Sequence, residues 1–424
     1  MLPDSWPAPV AASPVDAVVA LPGSKSVTNR ALVLAALADG PSRISQPLRS
    51  RDTLLMAGGL RVLGIRVREH GDDWVVDGAP GPLPVQPDAT VNVGNAGTVM
   101  RFLPPVAALC AGPVGFHGDA RARARPLGPL LRALSALGVA IDDGATLPVT
   151  IRGRGRVRGG AVTVDASMSS QIVSGLLLSG PRYDRGVDVT HEGAPLPSAP
   201  HVAMTVAMLR ARGVAVDDAR PDRWRVDPGP IAPLDLTVEP DLSNAAPFLA
   251  AALVTGGRVV VAGWPPRTTQ PGALLPTLLE VMGGRAVLTD VGLQVTGRGE
   301  IRGIDVDLRD AGELAPVLTA VAALASSPSR LRGIGHLRLH ETDRLAALAT
   351  EIGKLGGDVR VTADGLEVRP APLHGGVFAT YDDHRLATAA AVLGLVVPGV
   401  LVENVATTGK TLPGFVELWR RMLR

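Results

Sequence analysis

The chain has 424 residues, which at about 150 residues per domain leaves room for two or three domains. Its 46% apolar and 19% charged residues exclude global disorder, and a formal charge of +2, from 42 basic against 40 acidic residues, excludes a polycation whose whole surface binds nucleic acid. The one cysteine, Cys110, excludes an internal disulfide, a thiolate cluster and a zinc ribbon, and suits a reducing compartment.

The opening MLPDSWPAPV has no basic, apolar, small-residue signal. The longest stretch free of charged residues and histidine, Leu386 to Val402, is broken by Pro398-Gly399 and falls short of the ~20 apolar residues that span a bilayer. A cytoplasmic location is expected. Of the 42 basic residues only Lys25, Lys354 and Lys410 are lysine. A lysine kept against such a bias points to a need for a compact ammonium.

In chain order, six segments share one shape, a small or polar pair followed by an apolar helical run closed by Gly or Pro. They are TNRALVLAALADG from Thr28, GTVMRFLPPVAALCAG from Gly97, SSQIVSGLLLSG from Ser169, SNAAPFLAAALVTGG from Ser243, ELAPVLTAVAALA from Glu313 and DHRLATAAAVLGLV from Asp383. Their starts lie 69, 72, 74, 70 and 70 residues apart. A second helical run with the same period ends on a glycine, at Gly64, Gly138, Gly213, Gly283 and Gly356, the expected left-handed cap. Short alternating runs such as VREHGDDWVVDG, RWRVDPG and GLEVRP follow and predict strands in hairpin-like pairs. The period therefore predicts an α/β protein of six repeated units, each about 70 residues with two helices and roughly four strands. Two breakers, Ala20-Leu21-Pro22-Gly23 and Val238-Glu239-Pro240-Asp241, suit either ordinary turns or a double crossing between two three-repeat domains. The second reading predicts one domain from residues 23–238 and a discontinuous one from 1–22 and 239–424.

Polar residues cluster at the helix starts. LPGSKSVTNR (21–30) puts backbone N–H groups, Ser26, Lys25 and Arg30 at one helix N-terminus, a good seat for phosphate or carboxylate but without P-loop spacing. The plainer reading is a serine cap beside a solvated lysine. NVGNAGTVMR (92–101) leaves the backbone bare around Gly94 and Gly97. GDARARARPLG (118–128) predicts an extended segment with Arg121, Arg123 and Arg125 on one side, Arg125 held extended by Pro126. Ser169, Ser170 and Gln171 offer more hydroxyl and amide than a cap requires, and Ser198 precedes another helix. Glu313 begins the fifth run. HLRLHETDRL (336–345) groups His336, His340, Glu341 and Arg344, whose plain reading is a surface i, i+3 ion pair. YDDHRLA (381–387) and ATTGKTLPGF (406–415) bring Asp383, His384, Arg385 and Lys410 to helix starts. Pointed at one crevice, these groups would grip small polyanions; no metal-ligand spacing, HExxH or GxGxxG is present, and neither metal nor cofactor is expected.

LPGSKSVTNRALVLAALA, GNAGTVMR, RARPLGPLLRAL, SSQ, HETDRLA, DDHRLA and GKTLP, taken in order over essentially the whole chain, resemble the EPSP synthase (3-phosphoshikimate 1-carboxyvinyltransferase) family. The resemblance implies a two-domain inverse α/β barrel, three repeats per domain, joined by two crossovers. It implies transfer of the enolpyruvyl group of phosphoenolpyruvate to the 5-hydroxyl of shikimate 3-phosphate, through a tetrahedral ketal, with loss of phosphate. Both substrates are small anions, and the enzyme is expected to act as a monomer without nucleic acid or membrane partners. By similarity, Lys25, Ser26, Arg30, Ser169, Ser170, Gln171, Ser198, Glu313 and His340 would hold shikimate 3-phosphate. Lys25, Gly97, Arg125, Gln171, Arg344, Arg385 and Lys410 would hold phosphoenolpyruvate. Glu313 would take the hydroxyl proton, and Glu341 with Lys25 would manage the methylene and leaving-group protons. The family also implies sensitivity to glyphosate, for which Gly97 leaves room.

Four positions depart from the family pattern. Glu313 stands where many members have Asp, His336 where Asn is common, His340 where Lys is common, and His201 where Tyr is frequent. His340 would exchange a fixed charge for a pH-dependent one. The related UDP-N-acetylglucosamine enolpyruvyl transferases usually carry a reactive cysteine in the loop matching 118–126, and none is present here. RNA binding through RARAR and IRGRGRVRGG would want aromatic stacking platforms, which those tracts lack.

Overall fold

The computed structural model describes residues 5–142 and 144–424. The chain divides into two compact units, Gly23–Val238 and a second one made of Glu239–Arg424 with the opening of the chain through Pro22. Each has its own apolar core.

Among the described residues the strands form six small mixed sheets, five of four strands and one of three. In four repeats a strand, the first helix and the next strand form a parallel crossover, since parallel neighbours need a long connection. Thr90–Asn92 thus pairs with Pro113–His117, Gly160–Val164 with Val187–His191, Asp305–Asp307 with Ser329–Arg332, and Gly376–Phe378 with Val400–Glu403. In every repeat but the last, the second helix then leads to an antiparallel hairpin, as from Arg344–Lys354 to Asp358–Val361 and Leu366–Arg369.

The first and fourth repeats exchange their leading strands. Asp16–Val19, which precedes the first helix in sequence, pairs with Arg258–Ala262 of the fourth repeat. Leu236–Thr237, which precedes the fourth helix, pairs with Ser42–Ser45 of the first. The two breaker segments read from the sequence lie where these exchanged strands hand over to their helices.

The first helix of each repeat is interior. In Lys25–Ala36 every residue from Val27 onward is buried, and Gly97–Ala107, Ala315–Ala323 and His384–Gly394 are buried throughout. Helices apolar on all faces belong inside a core. Close backbone approach follows from small residues: a Cβ added to Gly175 would collide with the Arg101 carbonyl oxygen. A buried Asn29 Nδ2–H also donates to Thr98 Oγ1 at 2.7 Å, tying the first inner helix to the second.

Three expectations are corrected. Residues 118–126 are not extended throughout: Ala120–Ala124 is a short helix that carries Arg121 and Arg123, while Arg125 keeps extended dihedrals (φ −80°, ψ 137°) before Pro126. Cys110 lies beyond the end of the Gly97–Ala107 helix, buried, where burial pushes its thiol up to about 12. Glu341 and Arg344 do not share a helix, because Asp343 caps a helix that begins at Arg344, and their ion pair is buried rather than superficial.

Candidate active site

In the Gly23–Val238 unit, Ser24 caps the first helix by accepting from Val27 N–H, which places Lys25 at its first turn. The Lys25 ammonium stands 3.6 Å from the carboxylate of buried Asp52. Ser26 Oγ lies 3.4 Å from His201 Nε2. Arg30 is buried: it donates to Thr205 Oγ1 (2.7 Å), the Ser26 and His201 carbonyls (3.0 Å each) and Ser174 Oγ (3.3 Å), and stacks over Phe102 at 5.2 Å. Its fork thus joins three helices beneath Ser26.

Gly97, Arg125 and Gln171 meet. A Cβ on Gly97 would stand 2.7 Å from an Arg125 guanidinium nitrogen and 2.9 Å from Gln171 Oε1. Arg125 donates to the Asn95 carbonyl and Asn95 Oδ1 at 3.1 and 3.2 Å. Gln171 opens the third repeat's helix, with Ser170 at the cap position and Ser169 Oγ accepting from Gln171 N–H at 3.3 Å. Ser198 is left-handed (φ 53°, ψ 43°) at the start of Ala199–Arg210.

The second unit gathers the other half of the candidates. Asp383 caps His384–Gly394 through Arg385 N–H (2.8 Å) and takes Arg344 Nε at 2.7 Å and a second Arg344 nitrogen at 3.2 Å. Arg344 continues to Glu341 Oε2 at 2.8 Å, and Lys410 Nζ reaches Glu341 Oε1 at 2.7 Å. The result is a nearly dry chain of alternating charge, Asp383–Arg344–Glu341–Lys410. Burial alone disfavours the Arg344 cation, but Asp383 and Glu341 outweigh it and hold the guanidinium above its ordinary range. Arg385, which donates to the Ser243 carbonyl at 2.9 Å, is drawn below its ordinary range by burial, with Asp241 pulling the other way.

Glu313 lies in a 3₁₀ turn, Arg309–Leu314, just ahead of the fifth repeat's helix. Its charge acts on His336, Arg344 and Arg385. Burial pushes the His336 imidazole down to about 4 against the pull of Glu313, so this ring is neutral at pH 7. His340 receives an Arg344 N–H at Nδ1 (3.1 Å). Guanidinium groups only donate, so the His340 proton is on Nε2 in this arrangement, and the local cation is Arg344.

The family model for EPSP synthase (3-phosphoshikimate 1-carboxyvinyltransferase) matches residues 10–419. The chain is 54% identical to the 3-phosphoshikimate 1-carboxyvinyltransferase of Mycobacterium ulcerans strain Agy99, with 99% of this chain and 98% of that one covered. The chain belongs to the EPSP synthase family. It is an enolpyruvyl transferase of the shikimate pathway. Its fold is similar to that of an EPSP synthase from Acinetobacter baumannii (TM-score 0.81, 24% identity, 97% of both chains). It is similar as well to the enolpyruvyl transferase NikO from Streptomyces tendae (TM-score 0.75, 20% identity, 97% of this chain and 96% of that one).

Sequence reasoning about this EPSP synthase family member passed over two buried side chains at the candidate site, Arg101 and Asp52, and saw only a helix start in a third, Asp383. Arg101 donates to Gln171 Oε1 (3.1 Å) and to the Pro126 carbonyl (3.3 Å), so it ties Gln171 to the peptide that follows Arg125. Asp52 faces Lys25, and Asp383 is the anchor of Arg344 rather than a cap alone. Arg101 and Asp383 fall inside motifs that were singled out and Asp52 outside them, and a charged residue at or near an apolar helical run was the available signal. Among the described residues no group of three or more His, Cys, Asp or Glu is placed to hold a metal ion, and no helix is long and apolar enough to cross a membrane.

Proposed function

We propose that the helix starts of the two units hold the two substrates of the family's reaction. Lys25, Ser26, Arg30, Ser169, Ser170, Gln171 and Ser198 in the first unit, with Glu313 and His340 in the second, take shikimate 3-phosphate. Lys25, Gly97, Arg125 and Gln171, with Arg344, Arg385 and Lys410, take phosphoenolpyruvate. The observation that carries this reading is the buried Asp383–Arg344–Glu341–Lys410 chain with Arg385 beside it. Asp383 and Glu341 offset Arg344 and Lys410 within the chain, and the buried Arg385 cation beside it, drawn down by burial, is the charge that an anionic ligand would stabilise.

The chemistry follows from those positions. Glu313 accepts the proton of the 5-hydroxyl as its oxygen bonds to the central carbon of phosphoenolpyruvate, while the methylene carbon gains a proton. Elimination reverses the methylene step and expels phosphate. Arg344, Arg385 and Lys410 neutralise the donor's carboxylate and phosphate, and Lys25 follows the leaving phosphate. Glu341 occupies N–H donors of both Arg344 and Lys410. An incoming anion therefore competes with Glu341 for them, and a carboxylate relieved of its cations holds a proton more firmly. That exchange suits Glu341 to deliver and recover the methylene proton. The neutral His336 imidazole supplies hydrogen bonds without charge, as the Asn common at this position would. The enzyme acts as a monomer in the cytoplasm.

Phosphate release that requires both substrates, repeated with Lys25→Ala and Glu313→Gln, tests the assignment. Both variants are expected to lose at least about a hundredfold in kcat, the usual scale for removing a general base or a charge-stabilising group. Turnover with UDP-N-acetylglucosamine as sole acceptor overturns it.

A further inference from the structure

Lys354, the third of the rare lysines, has no place among the substrate ligands, and what it touches leads back to the site. Its Nζ donates to Glu351 Oε1 at 2.7 Å. The Glu351 side chain is fully buried, near the end of the helix that begins with Arg344. It also receives the Tyr381 hydroxyl (2.6 Å, Oε1) and Ala379 N–H (2.9 Å, Oε2).

Tyr381 and Asp382 are both left-handed, at φ 52° and 57°. Two adjacent side-chain-bearing residues in that region persist only when their surroundings fix them. Glu351 fixes the corner from one side. From the other, Asn404 Nδ2 donates to Asp382 Oδ1 (2.6 Å) and Thr407 Oγ1 to the Asp382 carbonyl (2.7 Å). Asn404 and Thr407 belong to the turn that carries Lys410. Directly after the corner come Asp383 and Arg385. The corner is therefore the junction of the Arg344 helix, the Arg385 helix start and the Lys410 turn, all within one unit.

We propose that Glu351, charge-balanced by Lys354, is a positioning residue that holds the Tyr381-Asp382 corner and so sets the relative places of Arg344, Arg385 and Lys410. The inference rests on the reading of those three cations as the phosphoenolpyruvate subsite. It assigns to Tyr381 a role through its hydroxyl alone, because the ring is exposed and its loss of one oxygen leaves no cavity.

Steady-state kinetics on the full-length Tyr381→Phe and Glu351→Gln variants, with thermal melting alongside, tests it. Tyr381→Phe is expected to raise KM for phosphoenolpyruvate about tenfold, the scale of one lost hydrogen bond to a charged group, with KM for shikimate 3-phosphate at the wild-type value and Tm lowered by the loss of a bond internal to the fold. Glu351→Gln, which keeps size and one acceptor oxygen, is expected to move the same constant in the same direction, and the double variant to add nothing over Glu351→Gln. An unchanged phosphoenolpyruvate KM in Tyr381→Phe, or an equal rise for both substrates, overturns the proposal. Arg385→Ala in the same assay separates the two levels: if it leaves the phosphoenolpyruvate KM unchanged the subsite reading fails, and if it alone raises it only the positioning role fails.

Discussion

Gly97 shows how one missing carbon shapes the site. Its place at the first turn of an inner helix leaves an added Cβ 2.7 Å from Arg125 and 2.9 Å from Gln171, both closer than real Cβ contacts permit. Gly97→Ala must push these two side chains apart, and displacement of about 1 Å at a positioned group costs up to a hundredfold. Inhibition by glyphosate and the KM for phosphoenolpyruvate should both weaken by about tenfold or more, read from inhibitor titration and initial rates. His336 offers a separate test. Its ordinary value of 6.5 in the unfolded chain falls to about 4 when folded, so unfolding takes up a proton between those values. Its stabilising contribution is whole above pH 6.5 and is lost as pH falls toward 4, a change on the order of 2 kcal/mol after allowance for partial solvent access. Urea midpoints of the wild type and His336→Asn, compared at pH 7 and 4.5, should converge at neutral pH and diverge in acid, the wild type losing more.

Elements were legible where capping chemistry and period coincide. Asp343, Asp383, Asp241 and Ser24 each precede an inner or site-bearing helix and accept its first N–H groups. Sequence placed the starts at Ser24 and Asp383, but it ran one helix across Glu341 and Arg344 and missed the cap at Asp343. What failed was anything that depended on a distant partner. The Glu341–Arg344 pair read as superficial because nothing local reveals that Asp383 and Lys410 close over it. The ARARA run read as extended because alternation of charge looks alike in a strand and in a single helical turn. Arginines that suggested a nucleic-acid tract are paired, Arg152 to Asp142 and Arg156 to Asp184. Asp343 gives a prediction at this scale. It accepts from Leu345 and Ala346 N–H at 3.1 Å each, at the mouth of the helix that presents Arg344. Asp343→Ala should cost about 1 kcal/mol of unfolding free energy, measured by urea denaturation. It should also loosen the first turn enough to raise the phosphoenolpyruvate KM without touching that of shikimate 3-phosphate.

For the whole molecule the decisive feature is the strand exchange, which no periodicity could reveal because both partners carry the same pattern and only the long-range pairing differs. Its consequence is asymmetric. The Gly23–Val238 unit contains every strand of its three sheets, including Leu236–Thr237 against Ser42–Ser45. The other unit depends on the chain's opening: Asp16–Val19 closes one sheet against Arg258–Ala262, and Ser5–Pro7 pairs with Val400–Glu403 in another. Trp6, Val15 and Val19 are buried there, with Trp6 edge-on to Phe415 at 6.2 Å between ring centres. Without those residues two sheet edges and an aromatic cluster face water, and exposed edges invite association. A fragment of residues 23–238 should therefore unfold as a single cooperative transition in urea. A fragment of 239–424 should aggregate or melt over a broad range, and a peptide of residues 5–22 added in trans should restore a sharp transition by mass action on the folded form. Equal cooperativity of the two bare fragments would show that the opening segment decorates the second unit rather than completing it.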